Sequence, residues 1–394
     1  MYISRINSNV LRLTVAQALS GANSVVVYAT GAIIGNMLAP TPSLATLPIS
    51  VFVIGMALAT LPIGHVGRRW GRTAAFMIGN ACGAIMGALA AYALFIHSFT
   101  LFCVAMLFGG AYAAVVLTFR FAAAECVAAQ ERPKALSTVL AGGVVAGVLG
   151  PQLVNATMGS SSQAYVVTYL AAAVVAVLAA WVLVGVRFDR HPARSAAQPA
   201  SSITAVVRQP RFIIAMLCGV ISYMMMNFMM TSAPLAMDLC GIARVHSNTG
   251  IEMHVIAMYA PSFFTGRLIS RFGAPLIIQC GLLLIGLAAL VGMTGMSIGH
   301  FWLALVLLGI GWNFGFLGAS ALVLTCHAPE EGPKVQAVND FVVFGTMVVG
   351  SFLSGGLLDA FGWTVVSGLI LPPVLIAMAG LLWLQRKQGV AQAV

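Results

Sequence analysis

The chain has 394 residues, 60% of them apolar and only 7% charged, against roughly 25% charge in an ordinary soluble domain. A bilayer crossing takes about 20 apolar residues, so this composition supplies about eleven or twelve crossings and leaves little for anything else. A large catalytic head, a disulfide-stapled secreted module and a nucleic-acid-binding domain are excluded, despite a formal net charge of +10.

In chain order, spans are predicted over 11–35, 45–66, 73–96, 100–122, 135–158, 163–187, 211–236, 250–269, 274–296, 300–324, 336–359 and 363–384. Thirteen of the 19 basic residues cluster between alternate spans: Arg68, Arg69 and Arg72; Arg132 and Lys134; Arg187, Arg190, Arg194, Arg208 and Arg211; Arg267 and Arg271; Lys334. Such clusters mark the cytoplasmic side. An even number of crossings then puts both termini inside, in agreement with Arg5 and Arg12 at one end and Arg386 and Lys387 at the other. Ala16-Gln17-Ala18 imitates a cleavage site, but the apolar run before it is too short for a signal peptide. The seven cysteines are scattered and suit small packing residues better than a disulfide framework or a zinc site.

A basic, Ser/Ala-rich connection over 188–210 separates an expected N-terminal six-helix bundle, 1–187, from a C-terminal one, 211–394. The halves repeat internally. Gly64, Arg69 and Gly71 recur as Gly266, Arg271 and Gly273, an offset of 202; Glu131, Pro133 and Lys134 recur as Glu331, Pro333 and Lys334, an offset of 200. The expected fold is therefore an all-α membrane protein of twelve transmembrane helices in two parallel six-helix copies. The segment from Gly64 to Arg72 resembles the major facilitator signature Gly-x-x-x-Asp-Arg-x-Gly-Arg, with Arg68 where that family usually has an acid. The resemblance implies an alternating-access carrier, with no enzymatic activity and no prosthetic group. In that family the acid faces the start of the eleventh span, so Arg68 and Asp340 are expected either to form a charge-swapped latch, with Arg69 and Arg72 beside it, or to leave Arg68 as a solvated topological charge.

Intramembrane chemistry concentrates in the seventh and eighth spans. Met226 and Met230 lie four apart on one helix face, as do His254 and Met258. On antiparallel neighbours, Met226 would stand level with Met258 and Met230 with His254. Three thioethers and an imidazole form a soft, uncharged ligand set that favours Cu(I) over zinc, calcium or magnesium. Methionines at helical spacing also serve as flexible packing. A histidine inside a span is costly and marks a pathway by default. The MxxxM and HxxxM pairs resemble those of the CcoA-type copper importers, major facilitator members of bacterial membranes. That resemblance implies Cu(I) as transported substrate, an inner-membrane location, a periplasmic copper donor, a cytoplasmic acceptor and delivery to cytochrome c oxidase assembly.

Two other readings stand beside it: a carrier of a riboflavin-like or drug-like organic solute bound by Arg120, Asn227 and Trp312, and a membrane copper sensor that moves nothing. Arg120 is expected either to pair with Glu125, five residues on, or to serve coupling as the family's arginine in that helix does. All nine acids fall at span ends or in loops, Glu125 excepted, which leaves His254 as the obvious deep titrating group.

Overall fold

The computed structural model describes residues 7–41, 44, 47–159, 164–188, 203–328 and 331–392. Arg5, Arg190 and Arg194, and positions 189–202 of the expected linker, lie outside the described residues. Every regular element among the described residues is helical: α1 (Ser8–Leu38), α2 (Leu47–Trp70), α3 (Arg72–Phe95), α4 (Phe99–Glu125), α5 (Arg132–Thr157), α6 (Val166–Val184), α7 (Ile203–Val207), α8 (Pro210–Leu239), α9 (Arg244–Tyr259), α10 (Ser262–Phe272), α11 (Ala274–Thr294), α12 (Ile298–Val323), α13 (Gly332–Gly368) and α14 (Leu371–Gln392), with a 3-10 turn at Ala129–Glu131. Ten stretches among the described residues are long and apolar enough to cross a bilayer.

The expected eighth span is broken into α9 and α10. The cause is Pro261: a proline has no N–H to give the carbonyl one turn back, and its ring crowds that carbonyl. Within α13, Gly362 has φ 73° and ψ 173°, so the helix ends there and restarts as the last crossing.

The chain divides into two compact units. The first comprises 1–195 together with Gln336–Gly345; the second comprises 196–335 and 346–394. In the first unit α1, α2, α3 and α5 surround α4, and α6 lies against α1 and α3. In the second, α8, α9 and α11 surround α12, and α14 lies against α8 and α11. The central helices accept close neighbours through glycine. Gly110 of α4 faces the backbone of α2 at Phe52 and Met56; Gly309 of α12 faces that of α9 at His254 and Met258. Phe52 and Met56 are therefore the repeat equivalents of His254 and Met258, at the same offset of 202 seen in the loop motifs. The loop glycines repeat too. Gly71 (φ 88°) and Gly273 (φ 85°) each join two helices in a left-handed conformation that side chains rarely adopt.

Candidate functional site

The described Met and His candidates all fall in the second unit. The backbone of α9 is tied to α12 at three heights. His254 Nδ1 meets the Leu305 carbonyl at 2.7 Å, Gly309 gives the close approach, and Asn313 donates to the Met258 carbonyl at 2.7 Å and to the Ser262 hydroxyl at 2.6 Å. Thr265 donates to Asn313 Oδ1 at 2.7 Å, so every polar atom of the Asn313 amide is engaged. These bonds hold α9 and α10 on α12 across the Pro261 break, and they define a ruler along α12. On α8, Ser222 lies at Gly315, and Met229 reaches Gly292 of α11. Because α11 runs antiparallel to α12, with Ile278 at Gly318 and Ile285 at Gly311, α8 too runs antiparallel to α12. The register sets Met226 at the height of Met258 and Met230 at that of His254, and α8 packs against α9.

His254 is wholly buried, and Met226 and Met258 are buried with it, while Met230 is partly exposed. A carbonyl oxygen only accepts, so the His254 proton sits on Nδ1 and Nε2 carries a lone pair. That Nε2 has no hydrogen-bond partner among the described residues. The repeat separates the two residues of this pair. Met258 matches Met56, which is buried in the first unit, so packing accounts for it; His254 stands where the first unit has Phe52. The imidazole is the departure from the scaffold.

One turn and more along α12 lies a feature that the spacing of methionines did not announce. Trp312 stacks on Phe316 with ring centres 5.3 Å apart and meets Tyr223 and Tyr259 edge-on at 5.6 and 5.7 Å. Tyr223 also meets Phe316 at 5.0 Å. Tyr223, Met226, Asn227 and Met230 share one stripe of α8 by their spacing of three, four and seven. The indole Nε1 of Trp312, the Asn227 Nδ2 and the Ser222 hydroxyl are buried without hydrogen-bond partners among the described residues. Sequence reasoning named Trp312 and Asn227 but missed Tyr223, Tyr259 and Phe316. The available signal was the i, i+4 spacing of Trp312 and Phe316.

The basic signature residues behave differently from one another. Arg68 and Arg69 are exposed, Arg69 lying over the Trp70 ring. Arg72 is buried and binds Glu125 through two bonds of 3.1 and 2.5 Å, with a further bond to Gln336. Asp340 accepts from Arg120 Nη2 at 2.7 Å and from Asn339 at 3.0 Å. For Arg68 and for Arg120, one of the two alternatives offered by the sequence falls, and the exposed Arg68 agrees with the other. The Arg68–Asp340 latch is not formed, since Asp340 is held by Arg120 while Arg68 points to the exterior. Nor does Arg120 pair with Glu125: five residues turn an α-helix by about 140°, so the two carboxylate and guanidinium groups leave α4 on different faces. Asp340, one of the acids expected at a span end, lies two turns inside α13 and is buried.

Residues 13–325 match the family described as the Major Facilitator Superfamily. This chain belongs to that superfamily. It is a carrier and not an enzyme, in a membrane fold without a prosthetic group. The riboflavin transporter RfnT of Brucella anthropi is 42% identical over 389 residues, covering 97% of each chain. A transporter of Bacillus subtilis described as an uncharacterized major facilitator type, YddS, is 30% identical over 95% of this chain and 90% of its own. Among solved structures, a human organic anion transporter aligns with a TM-score of 0.77 at 15% identity over 94% of this chain and 99% of its own. The fucose:proton symporter of E. coli aligns with a TM-score of 0.74 at 16% identity, covering 95% and 96%. At those identities the solved structures speak for the fold alone.

Proposed function

We propose that this transporter carries a planar, heteroaromatic organic solute of the riboflavin class into the cell. The observation that carries the reading is Trp312, set among three further rings while its own N–H and Nδ2 of Asn227 have no hydrogen-bond partner among the described residues. Aromatic faces and edges supply about 0.5–1.5 kcal/mol per ring pair beyond burial. A buried donor without a partner costs about 1–3 kcal/mol, and a solute bearing ring carbonyls and nitrogens would relieve that cost. The full-length similarity to a riboflavin transporter supports the same class. The alternating basic clusters support inward-facing termini in a bacterial inner membrane.

A second reading, Cu(I) as cargo, is favoured by one specific observation: the buried His254 Nε2 keeps its lone pair, because Nδ1 is committed to a backbone carbonyl. Metal-bound histidines commonly have this arrangement. The flanking Met226, Met230 and Met258 would complete a soft set, with a periplasmic donor and a cytoplasmic acceptor on either side.

Uptake of radiolabelled riboflavin and of radioactive copper by the same cells separates the two. Riboflavin uptake that falls in W312A and N227A and is indifferent to M226L and H254N, which keeps a donor for the Leu305 carbonyl, sustains the first reading. Copper uptake lost in M226L and H254N, with no saturable riboflavin uptake in the parent, replaces it with the second.

A further inference from the structure

The last helix of each unit carries an exposed tryptophan. Trp181 of α6 and Trp383 of α14 are related by the same offset of 202 as the loop motifs, and they are 78% and 50% exposed. Residues three and four apart share a helix face, so the exposed Val177 and Leu178 extend the Trp181 stripe, and the exposed Leu375 and Ile376, two turns back, extend that of Trp383. The two apolar crossings end at Val184 and Lys387, which puts each indole about one turn inside the membrane boundary.

Four residues beyond each tryptophan, on the same face, a positive charge is supplied by two different routes. In the second unit the residue is Lys387, whose Nζ lies 5.4 Å from the centre of the Trp383 ring. Its equivalent in the first unit, at the offset of 202, is Gly185, and a Cβ built there would fall on the guanidinium of Arg12. Gly185 has φ −81°, a conformation open to any residue. Its backbone therefore does not call for glycine; the space that a side chain would take is filled by Arg12 from α1. Asn9, one turn earlier, fastens this part of α1 to the end of α6 by pairing with both backbone groups of Arg187, at 2.7 and 3.1 Å. Neither α1, α6 nor α14 contains a carboxylate, so the two cations have no counter-charge on their own elements. Attraction to a helix C-terminus explains Arg12 at the end of α6. It does not explain Lys387, because α14 continues to Gln392. What the two cations share is a place beside an exposed indole at the membrane boundary.

We propose that these places are two binding sites for an anionic phospholipid of the cytoplasmic leaflet, one on each unit. Arg12 or Lys387 donates charge-assisted hydrogen bonds to the phosphodiester. The indole of Trp181 or Trp383 stands at headgroup level, where an amphipathic ring is favoured and its N–H can donate to an ester or phosphate oxygen. An acyl chain lies along the apolar stripe. A zwitterionic headgroup brings its own ammonium to the phosphate and gains less from the protein's cation than an anionic one does. In the first unit the bound phosphate also joins α1 to α6. The inference does not depend on which solute is carried.

The test uses the purified full chain in micelles doped with phosphatidylglycerol or phosphatidylcholine, and native mass spectrometry counts the lipids that stay bound. Wild type is expected to retain more phosphatidylglycerol than phosphatidylcholine. R12Q and K387Q should each retain one phosphatidylglycerol fewer, the double variant two fewer, and R12K, which keeps the charge, should match wild type. R12Q/G185K gives the first unit its cation by the route that the second unit uses, and should regain the lost lipid. Inorganic phosphate and glycerophosphoglycerol, which lack acyl chains, should not displace the bound lipid. Thermal unfolding in the same micelles should show a higher midpoint in phosphatidylglycerol than in phosphatidylcholine, with the difference reduced in R12Q and in K387Q. Equal retention of the two lipids by wild type, undiminished retention by R12Q/K387Q, no recovery in a folded R12Q/G185K, or displacement by phosphate would each overturn the proposal. So would a midpoint that R12Q lowers equally in both lipids, which would assign Arg12 to the end of α6 alone.

Discussion

Arg120 and Asp340 stand 220 residues apart in the chain, yet meet at 2.7 Å with both side chains withdrawn from solvent. Removing one partner leaves the other as an uncompensated buried charge, at a cost of about 3–5 kcal/mol, whereas replacing both by apolar groups is often neutral or stabilising. R120M is therefore expected to lower the thermal midpoint strongly, and R120M/D340L to recover it without recovering transport. Thermal unfolding in detergent, alongside uptake, measures both; a double variant as unstable as the single one would mean that the pair is structural.

Arg72 and Glu125 form a second, partly buried contact of the signature region, with side-chain exposures of 9% and 20%. A hydrogen bond to a charged group contributes about 1.5–3 kcal/mol, which sets the loss expected for E125Q. Glu131, exposed in the turn after α4, is the control: E131Q should change stability by no more than about 0.5 kcal/mol.

Gly309 illustrates how closely α9 lies on α12. A Cβ built there sits 2.7 Å from the His254 carbonyl oxygen and 3.0 Å from the Met258 nitrogen. G309A must therefore displace backbone, with a cost of about 1–3 kcal/mol as for other overpacked sites, and uptake should fall with it. G286A, whose new methyl would make only ordinary contacts at 3.8 Å and beyond, should be neutral or gain up to about 1 kcal/mol from helix propensity.

Much of this was legible in the sequence because bilayer physics leaves few choices. Long apolar runs must be helices, and the recurrence of Gly71 as Gly273 signals a repeated turn that the backbone confirms with matching φ values. What stayed hidden was of two kinds. Pro261 was visible, but its effect on the eighth span depended on whether neighbouring groups would hold the chain straight, and here α9 and α10 separate. The partners of Arg72 and Arg120 were invisible because they lie on helices distant in the chain, and local spacing offered Glu125 to the wrong arginine. The methionine ladder was easy to see, whereas the ring cluster around Trp312 draws Tyr223 and Tyr259 from two other helices and has no linear pattern.

Trp312 also allows ring and donor to be tested separately. W312F keeps an aromatic face and removes the orphan N–H. The free carrier should be no less stable, while the KM for riboflavin should rise about tenfold, the equivalent of one lost hydrogen bond of about 1.4 kcal/mol. A KM unchanged in W312F but raised in W312A would assign the ring to stacking and leave the nitrogen without a role.

His254 performs two jobs with one ring, and amide substitutions can divide them. In asparagine the amide nitrogen falls near the place of Nδ1, so H254N preserves the fastening to Leu305 and deletes the buried lone pair of Nε2; glutamine reaches toward the place of Nε2 and forfeits the fastening. A transporter whose cargo needs that lone pair would fail in H254N although its helices remain docked, and one that merely needs the docking would keep working.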